Sequence, residues 1–267
     1  MSTSTTTNTT SPDRPDLHPS GGTRPSAARR AAVAVTGVLA CAVPVVFTVS
    51  ITGMLLTGVD SDHRFHQVTG QGLILTALWL GGLVPVLRAA WQGRRPSTAV
   101  GLLHLAFVLV GALCAVAAPG GGAPALLGLT VVTGALVWLA LPVRPELRVP
   151  ALLDPVLAPI ALLSAALYTP YALDQLALQN EATGYHASNP HHFDMAWLVV
   201  VLVVLAVAAA LLPAARPLAV WTAVGSVVIG VAGLAFTSDT TWSVLALALG
   251  IGAGALIAAR SRMAAGR

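Results

Sequence analysis

Long apolar runs alternate with short polar segments along most of the chain, and this alternation constrains the fold more than any other feature. About eight runs each extend over roughly 18 or more residues, the length that a helix needs to cross a bilayer. Backbone amides in lipid must be hydrogen-bonded within the protein, which favours helices. The pattern predicts an all-α, polytopic transmembrane helix bundle. The expected spans are approximately Ala31–Thr57, Thr69–Ala90, Ala99–Ala118, Ala125–Pro142, Ala151–Leu173, Met195–Leu212, Leu218–Phe236 and Trp242–Ala259.

The composition excludes a soluble globular domain. Hydrophobic residues make up 56% of the chain and charged residues only 9%, whereas soluble domains carry about 25% charged residues. The net charge of +4 does not indicate a nucleic-acid partner, because the charges border the apolar runs and form no basic face. The lipid bilayer is therefore the predicted partner.

The arginines indicate the orientation of the chain in the membrane. Nearly all arginines lie in every second gap, where a gap is a polar segment between two predicted spans. By the positive-inside rule, these gaps face the cytoplasm. We therefore predict a multi-pass cell-membrane protein with both termini cytoplasmic, which agrees with an even number of spans. Arg64 is the exception, in a gap predicted to face outward. The other arginines are Arg14, Arg24, Arg29, Arg30, Arg88, Arg94, Arg95, Arg144, Arg148, Arg216, Arg260, Arg262 and Arg267.

The sequence divides into three segments. Residues 1–30 are rich in Ser, Thr and Pro, a composition that predicts a disordered cytoplasmic tail. Residues 31–260 form the predicted eight-span transmembrane domain. Residues 261–267 form a short cytoplasmic C-terminal tail.

Five of the seven histidines fall in two gaps that are predicted to face outward. Imidazole and carboxylate groups bind transition metals, so these gaps form a candidate copper or zinc site. No standard zinc-binding spacing is present. The alternative is a polar loop in which Asp194 serves as the N-cap or first-turn acid of the next helix. The two loops meet only if their flanking helices are neighbours. The candidate ligands are His63, His66, His186, His191, His192 and Asp194.

A second group of polar residues lies near the end of the fifth span. Tyr168, Tyr171, Gln175 and Gln179 follow one another at helical spacing, and Asp174 lies next to this stripe. Tyr171, Asp174, Gln175 and Gln179 could therefore line an outer polar pocket. An aromatic belt followed by a solvated helix end is the alternative.

Two ionisable residues lie within predicted spans, near the cytoplasmic side. His104 is in the third span and Asp154 is in the fifth. Such groups are costly in a bilayer and usually face a partner or water. They form a candidate intramembrane pair that could relay protons, or they have separate local partners.

Two stretches resemble known membrane proteins. Residues 171–179 and 191–197 resemble uncharacterised integral membrane proteins of actinomycete bacteria, in which a tyrosine- and amide-rich helix end precedes a histidine just before the next span. This resemblance covers the fifth to eighth spans and implies no activity. Leu78-Trp79-Leu80-Gly81-Gly82-Leu83 resembles a segment of the copper-resistance D-type membrane proteins, which implies copper handling. In that family a histidine commonly precedes the tryptophan within the span, whereas here the nearest upstream histidine is His66, outside it.

The sequence favours a non-enzymatic membrane protein whose His/Asp-rich outer face handles a metal ion or a small solute. A structural or assembly subunit is the alternative, because small-residue helix faces and short loops fit a membrane-protein partner. A membrane enzyme is the third class, since an outer His/Asp cluster could support metal-assisted chemistry. No haem is expected, because a bis-histidine haem needs two buried histidines and only His104 lies clearly within a span.

Overall fold

The structure is a computed structural model that describes residues 25–59, 61–119, 123–147, 150–237 and 239–265. The described residues form an all-α protein with eight long α-helices, two short α-helices and two 3-10 helices, Ser61–His63 and Pro213–Leu218. In chain order the helices are α1 (Ala27–Thr57), α2 (Arg64–Val68), α3 (Leu73–Trp91), α4 (Thr98–Ala117), α5 (Ala123–Ala140), α6 (Ala158–Glu181), α7 (Gly184–Ser188), α8 (His191–Leu211), α9 (Ala219–Phe236) and α10 (Thr240–Ala265).

The lengths and compositions of the helices are those of a multi-pass membrane protein. Among the described residues, six segments are long and apolar enough to cross a membrane. The prediction of a helical transmembrane bundle is confirmed to that extent. The predicted fourth and fifth spans correspond to α5 and α6, which are long helices but are not among those six. The six segments are Ala27–Thr57, Ser61–Trp91, Thr98–Ala117, His191–Leu211, Pro213–Phe236 and Thr240–Met263.

Helix α8 forms the centre of the bundle. Its buried residues lie on all sides of the helix, as expected of an apolar helix enclosed by neighbours. Trp197 on α8 donates a hydrogen bond to the Phe107 carbonyl oxygen at 2.8 Å. Trp79 on α3 stacks on the Phe107 ring with centroids 5.2 Å apart. Trp79 therefore belongs to the packed core.

The polar connections lie at two opposite ends of the bundle. At one end, the segment between α1 and α3 meets the segment between α6 and α8. At this end Arg64 donates a hydrogen bond to the Leu55 carbonyl oxygen at 2.9 Å, and cations near a helix C-terminus are favourable. This contact explains the one arginine in a gap predicted to face outward. At the other end Asp154 meets arginines from two later segments.

Helix α6 begins and ends later than the predicted fifth span. Asp154 Oδ1 accepts hydrogen bonds from the backbone amides of Val156 and Leu157, at 3.1 and 3.3 Å. The Asp154 amide bonds to the Ala210 carbonyl oxygen of α8 at 2.7 Å, so this segment is tied to α8 before α6 begins. Because α6 continues to Glu181, the predicted outer loop at 174–194 is shorter than expected.

The predicted terminal tails fall largely at the edges of the described residues. Residues 1–24 of the predicted disordered tail lie outside the described residues, and α1 already begins at Ala27. Helix α10 continues through Ala265, and residues 266–267 lie outside the described residues.

The structure gives His104 and Asp154 separate local partners, which is the second of the two alternatives left open by the sequence. His104 Nδ1 accepts a hydrogen bond from the Trp138 indole at 2.8 Å. The Asp154 carboxylate, whose side chain is 2% exposed, pairs with Arg216 at 2.9 Å and also with Arg260. Two guanidinium groups compensate a buried negative charge, which a neutral imidazole could not do.

Candidate metal centre

Five histidines from two distant parts of the sequence meet at one end of the bundle. We call His63, His66, His186, His191 and His192 the histidine cluster. The His191 ring is at its centre: its centroid lies 4.8 Å from those of His66 and His186 and 5.5 Å from that of His63. The segment between α1 and α3 and the segment between α6 and α8 are therefore neighbours.

Three members of the cluster can hold a metal ion. One ligand nitrogen from each of His63, His186 and His191 lies within 4.8 Å of the other two. A tetrahedral zinc ion, with Zn–N distances of about 2.1 Å, places its ligand nitrogens roughly 3.4 Å apart. His186 Nδ1 and His191 Nε2 are already 3.2 Å apart. Any nitrogen separation among the three that approaches 4.8 Å must shorten to about 3.4 Å for a tetrahedral site to close.

Hydrogen bonds orient two of the α8 imidazoles for metal binding. His191 Nδ1 lies 3.1 Å from the Asn189 carbonyl oxygen, and His192 Nδ1 lies 2.9 Å from Gln175 Oε1. Both oxygens only accept hydrogen bonds, so each Nδ1 carries the proton and each Nε2 presents a lone pair. Metal-binding histidines commonly donate their second ring N–H to an oxygen in this way.

Gln179 fixes the connection that carries His186. Its side-chain amide donates to the His186 carbonyl oxygen at 3.3 Å. Its Oε1 accepts from the Phe193 backbone amide at 3.2 Å. This side chain on α6 therefore holds α7 and the first turn of α8 at a fixed separation, and it does so while buried.

The four residues of the predicted outer polar pocket take different positions. Gln175 and Gln179 are buried and support the histidine cluster. Tyr171 stacks on Trp242 of α10 with centroids 4.4 Å apart, and Asp174 is exposed. The spacing of the two glutamines predicted that they share one helix face. Their contacts with the segment that carries the histidines could not be predicted, because those contacts depend on the packing of α6 against α8.

Two buried polar atoms near the histidine cluster have no hydrogen-bond partner among the described residues. They are Nδ1 of His66 and Oδ1 of Asp194. Asp194 is not one of the three grouped ligands, but it lies on α8 three residues after His191, and residues at that spacing share a helix face. Pro190 occupies the N-cap position of α8, so Asp194 is a first-turn acid and not the N-cap. Such unpaired buried atoms are rare in proteins, and an imidazole nitrogen and a carboxyl oxygen are both atom types that bind transition metals.

A cavity of about 290 Å³ adjoins the histidine cluster. His63, Tyr185 and Asn189 line its polar side, and residues of α1 that include Met54 line its apolar side. A three-histidine site beside a cavity leaves a metal ion one open coordination position, as in sites that bind an exchangeable ligand. The Met54 thioether at the cavity wall is a soft group of the kind that favours cuprous ions.

Fold and site together define the class: a multi-pass helical membrane protein with a histidine group that can hold a metal ion. No protein-family model, no curated protein and no solved structure matches this chain. The class therefore rests on the length and composition of the helices and on the proximity of the three histidines.

The support that Gln179 gives to the site can be tested on its own. We expect Gln179→Leu to weaken metal binding by about 10–100-fold, the usual loss when an outer-shell partner of a ligand is removed. The affinity is measured in detergent by competition with a chromophoric chelator. Asp174→Asn, on the exposed side of the same helix, is the matched control and should leave the affinity unchanged. Equal affinities in both variants would show that Gln179 does not position the ligands.

Proposed function

We propose that this membrane protein binds one copper or zinc ion through His63, His186 and His191 on the outer face of the membrane. The proximity of the three ligand nitrogens is the observation that carries the proposal. The outer location follows from the positive-inside rule, because the arginine-containing connections other than that of Arg64 lie at the opposite end of the bundle.

The proposed site exchanges its ion and does not serve only to hold the fold together. Structural zinc sites are closed by four protein ligands, whereas sites with three protein ligands keep a position open. The three histidines differ in burial, since His186 is exposed, His63 is half-buried and His191 is buried. An incoming ion can therefore contact the exposed His186 first and then bind the buried His191 ring. The Met54 thioether at the wall of the adjoining cavity is a soft group that favours copper as the ion.

The experiment is a titration of the purified full-length protein in detergent with Cu⁺ or Zn²⁺ against a competing chelator. We expect one tightly bound ion per chain, with affinity that falls as the pH falls, because protons compete with metal for imidazole. A variant with alanine at positions 63, 186 and 191 should lose this binding. Binding that is equally tight in that variant would contradict the proposed function.

A further inference from the structure

An apolar groove of about 490 Å³ lies between α6 and α10. We call it the α6–α10 groove. Its walls contain only apolar side chains and glycine, from Pro159 to Leu167 on α6 and from Leu245 to Leu256 on α10. Leu163 and Leu256 on its rim are 59% and 44% exposed. A surface of this kind in a transmembrane bundle faces lipid acyl chains.

The groove is closed differently at its two ends. At one end the Tyr171 ring stacks on Trp242 and joins α6 to α10. At the other end Arg260, one helical turn beyond Leu256, donates a hydrogen bond to Asp154, just before α6. The stretch of α10 from Leu245 to Leu256 is about 16 Å long at the rise of an α-helix. This length is about half of the ~30 Å hydrocarbon core, or the depth of one leaflet.

The charged end of the groove has an excess of positive charge. Arg216 and Arg260 share the single carboxylate of Asp154. Each guanidinium has five N–H donors, and one carboxylate cannot use all of them. Both arginine side chains are 36% exposed, so a further anion can reach them. Guanidinium groups bind phosphate strongly through paired, charge-assisted hydrogen bonds.

We propose that the α6–α10 groove and the Arg216–Arg260 pair form a binding site for one anionic phospholipid. One acyl chain lies in the groove, and the phosphate contacts the two guanidinium groups. From the membrane centre outward, the apolar groove comes first and the two arginines follow. This is also the order of acyl chain and headgroup in a lipid of that leaflet. The site lies at the end of the bundle opposite the histidine cluster, so this proposal stands or fails independently of metal binding.

A second groove provides an internal comparison. It lies between α9 and α10, has a volume of about 270 Å³ and contains no charged residue in its lining. Gly252 lines the α6–α10 groove and Gly254 lines the α9–α10 groove. A Cβ atom added at either glycine meets nothing within 4 Å. Gly252→Leu and Gly254→Leu are therefore matched variants that fill one groove or the other without disturbing the backbone.

The test is native mass spectrometry of the full-length protein, titrated in detergent with phosphatidylglycerol or with phosphatidylcholine of the same acyl chains. We expect one phosphatidylglycerol per chain, bound about fivefold more tightly than phosphatidylcholine for each arginine that contacts it. Gly252→Leu should weaken the binding of both lipids, and Arg260→Gln should reduce the preference for phosphatidylglycerol by about fivefold. Gly254→Leu and Arg262→Gln, the second at an exposed arginine near the end of α10, should bind as the unmodified protein does.

Two results would overturn the proposal. Equal binding of the two lipids would show that the arginines do not bind the phosphate. Unchanged phosphatidylglycerol binding by Gly252→Leu would show that the groove does not hold an acyl chain. The Gly252 variant leaves the Asp154 ion pairs in place, so it remains decisive even if Arg260→Gln does not fold. A dimer that Gly252→Leu dissociates would identify a second copy of the chain as the occupant and would contradict lipid binding.

Discussion

Replacing His191 with alanine is expected to lower the affinity of the purified protein for copper or zinc by at least about 100-fold. His191 lies at the centre of the histidine cluster, and its Nε2 is 3.2 Å from His186 Nδ1. Loss of an outer-shell hydrogen bond alone costs about 10–100-fold in metal affinity, so loss of a ligand should cost at least the upper end of that range. Competition with a chelator of known affinity measures the change.

Two histidine variants serve as controls for this result. His192→Ala should weaken binding by about 10-fold, because His192 lies beside the group of three ligands and supports the site. His18→Ala removes a histidine from the N-terminal segment and should have no effect on the affinity. If His191→Ala and His18→Ala bound metal equally well, the assignment of His191 as a ligand would be wrong.

Replacing Asp154 with asparagine is expected to lower the free energy of unfolding by about 2–3 kcal/mol. The buried carboxylate accepts two backbone hydrogen bonds at the beginning of α6 and pairs with Arg216 and Arg260. The neutral amide cannot compensate the two guanidinium charges, although their partial exposure to water limits the loss. Equilibrium unfolding in mixed detergent micelles measures the difference.

The contribution of Asp154 should depend on pH in a defined direction. Burial alone would raise the pKa of Asp154, but the hydrogen bonds from Arg260 and from two backbone amides, together with the Arg260 charge, hold the pKa below its ordinary value of 3.8. A carboxyl with a depressed pKa stabilises the fold fully above its unfolded-state pKa and loses this effect as the pH falls through the folded-state value. The protein and its Asp154→Asn variant should therefore differ at neutral pH and converge below pH 3.8.

An exposed ion pair at the same end of the bundle provides the matched control. Glu146 pairs with Arg95 at 3.3 Å, but their side chains are 61% and 57% exposed. Exposed pairs of this kind contribute about 0–1 kcal/mol, so Glu146→Gln should change stability little at any pH. An equal effect of Glu146→Gln and Asp154→Asn would show that burial does not strengthen the Asp154 ion pairs.

The helices were predictable from the sequence because apolar length alone determines which segments can cross a bilayer. The limits of α6 were not, because they depend on tertiary contacts. Its beginning is set by Asp154, which is held against α8 and by arginines from later in the chain. Its polar C-terminal turns remain helical because Gln175 and Gln179 are buried against the segment that contains the histidines. Mean hydropathy carries no information about such contacts.

The candidate site was predictable in its residues but not in its arrangement. Five histidines in two segments indicated metal chemistry, yet their meeting depends on which helices are neighbours. The sequence could not decide between a His104–Asp154 pair and separate local partners, because depth in the membrane does not determine which residues are neighbours. His104 accepts a hydrogen bond from Trp138 of α5. Asp154 pairs with Arg216, from the connection between α8 and α9, and with Arg260 of α10, both at its own end of the bundle.

The most direct test of the central claim is X-ray absorption spectroscopy of the full-length protein loaded with one equivalent of Zn²⁺. Binding at His63, His186 and His191 predicts three imidazole nitrogen ligands at about 2.0–2.1 Å and one further light ligand from the adjoining cavity. The alanine variant at the three positions should give no such imidazole signal. Zinc surrounded by oxygen ligands alone, or an unchanged spectrum in the variant, would contradict a metal centre at the histidine cluster.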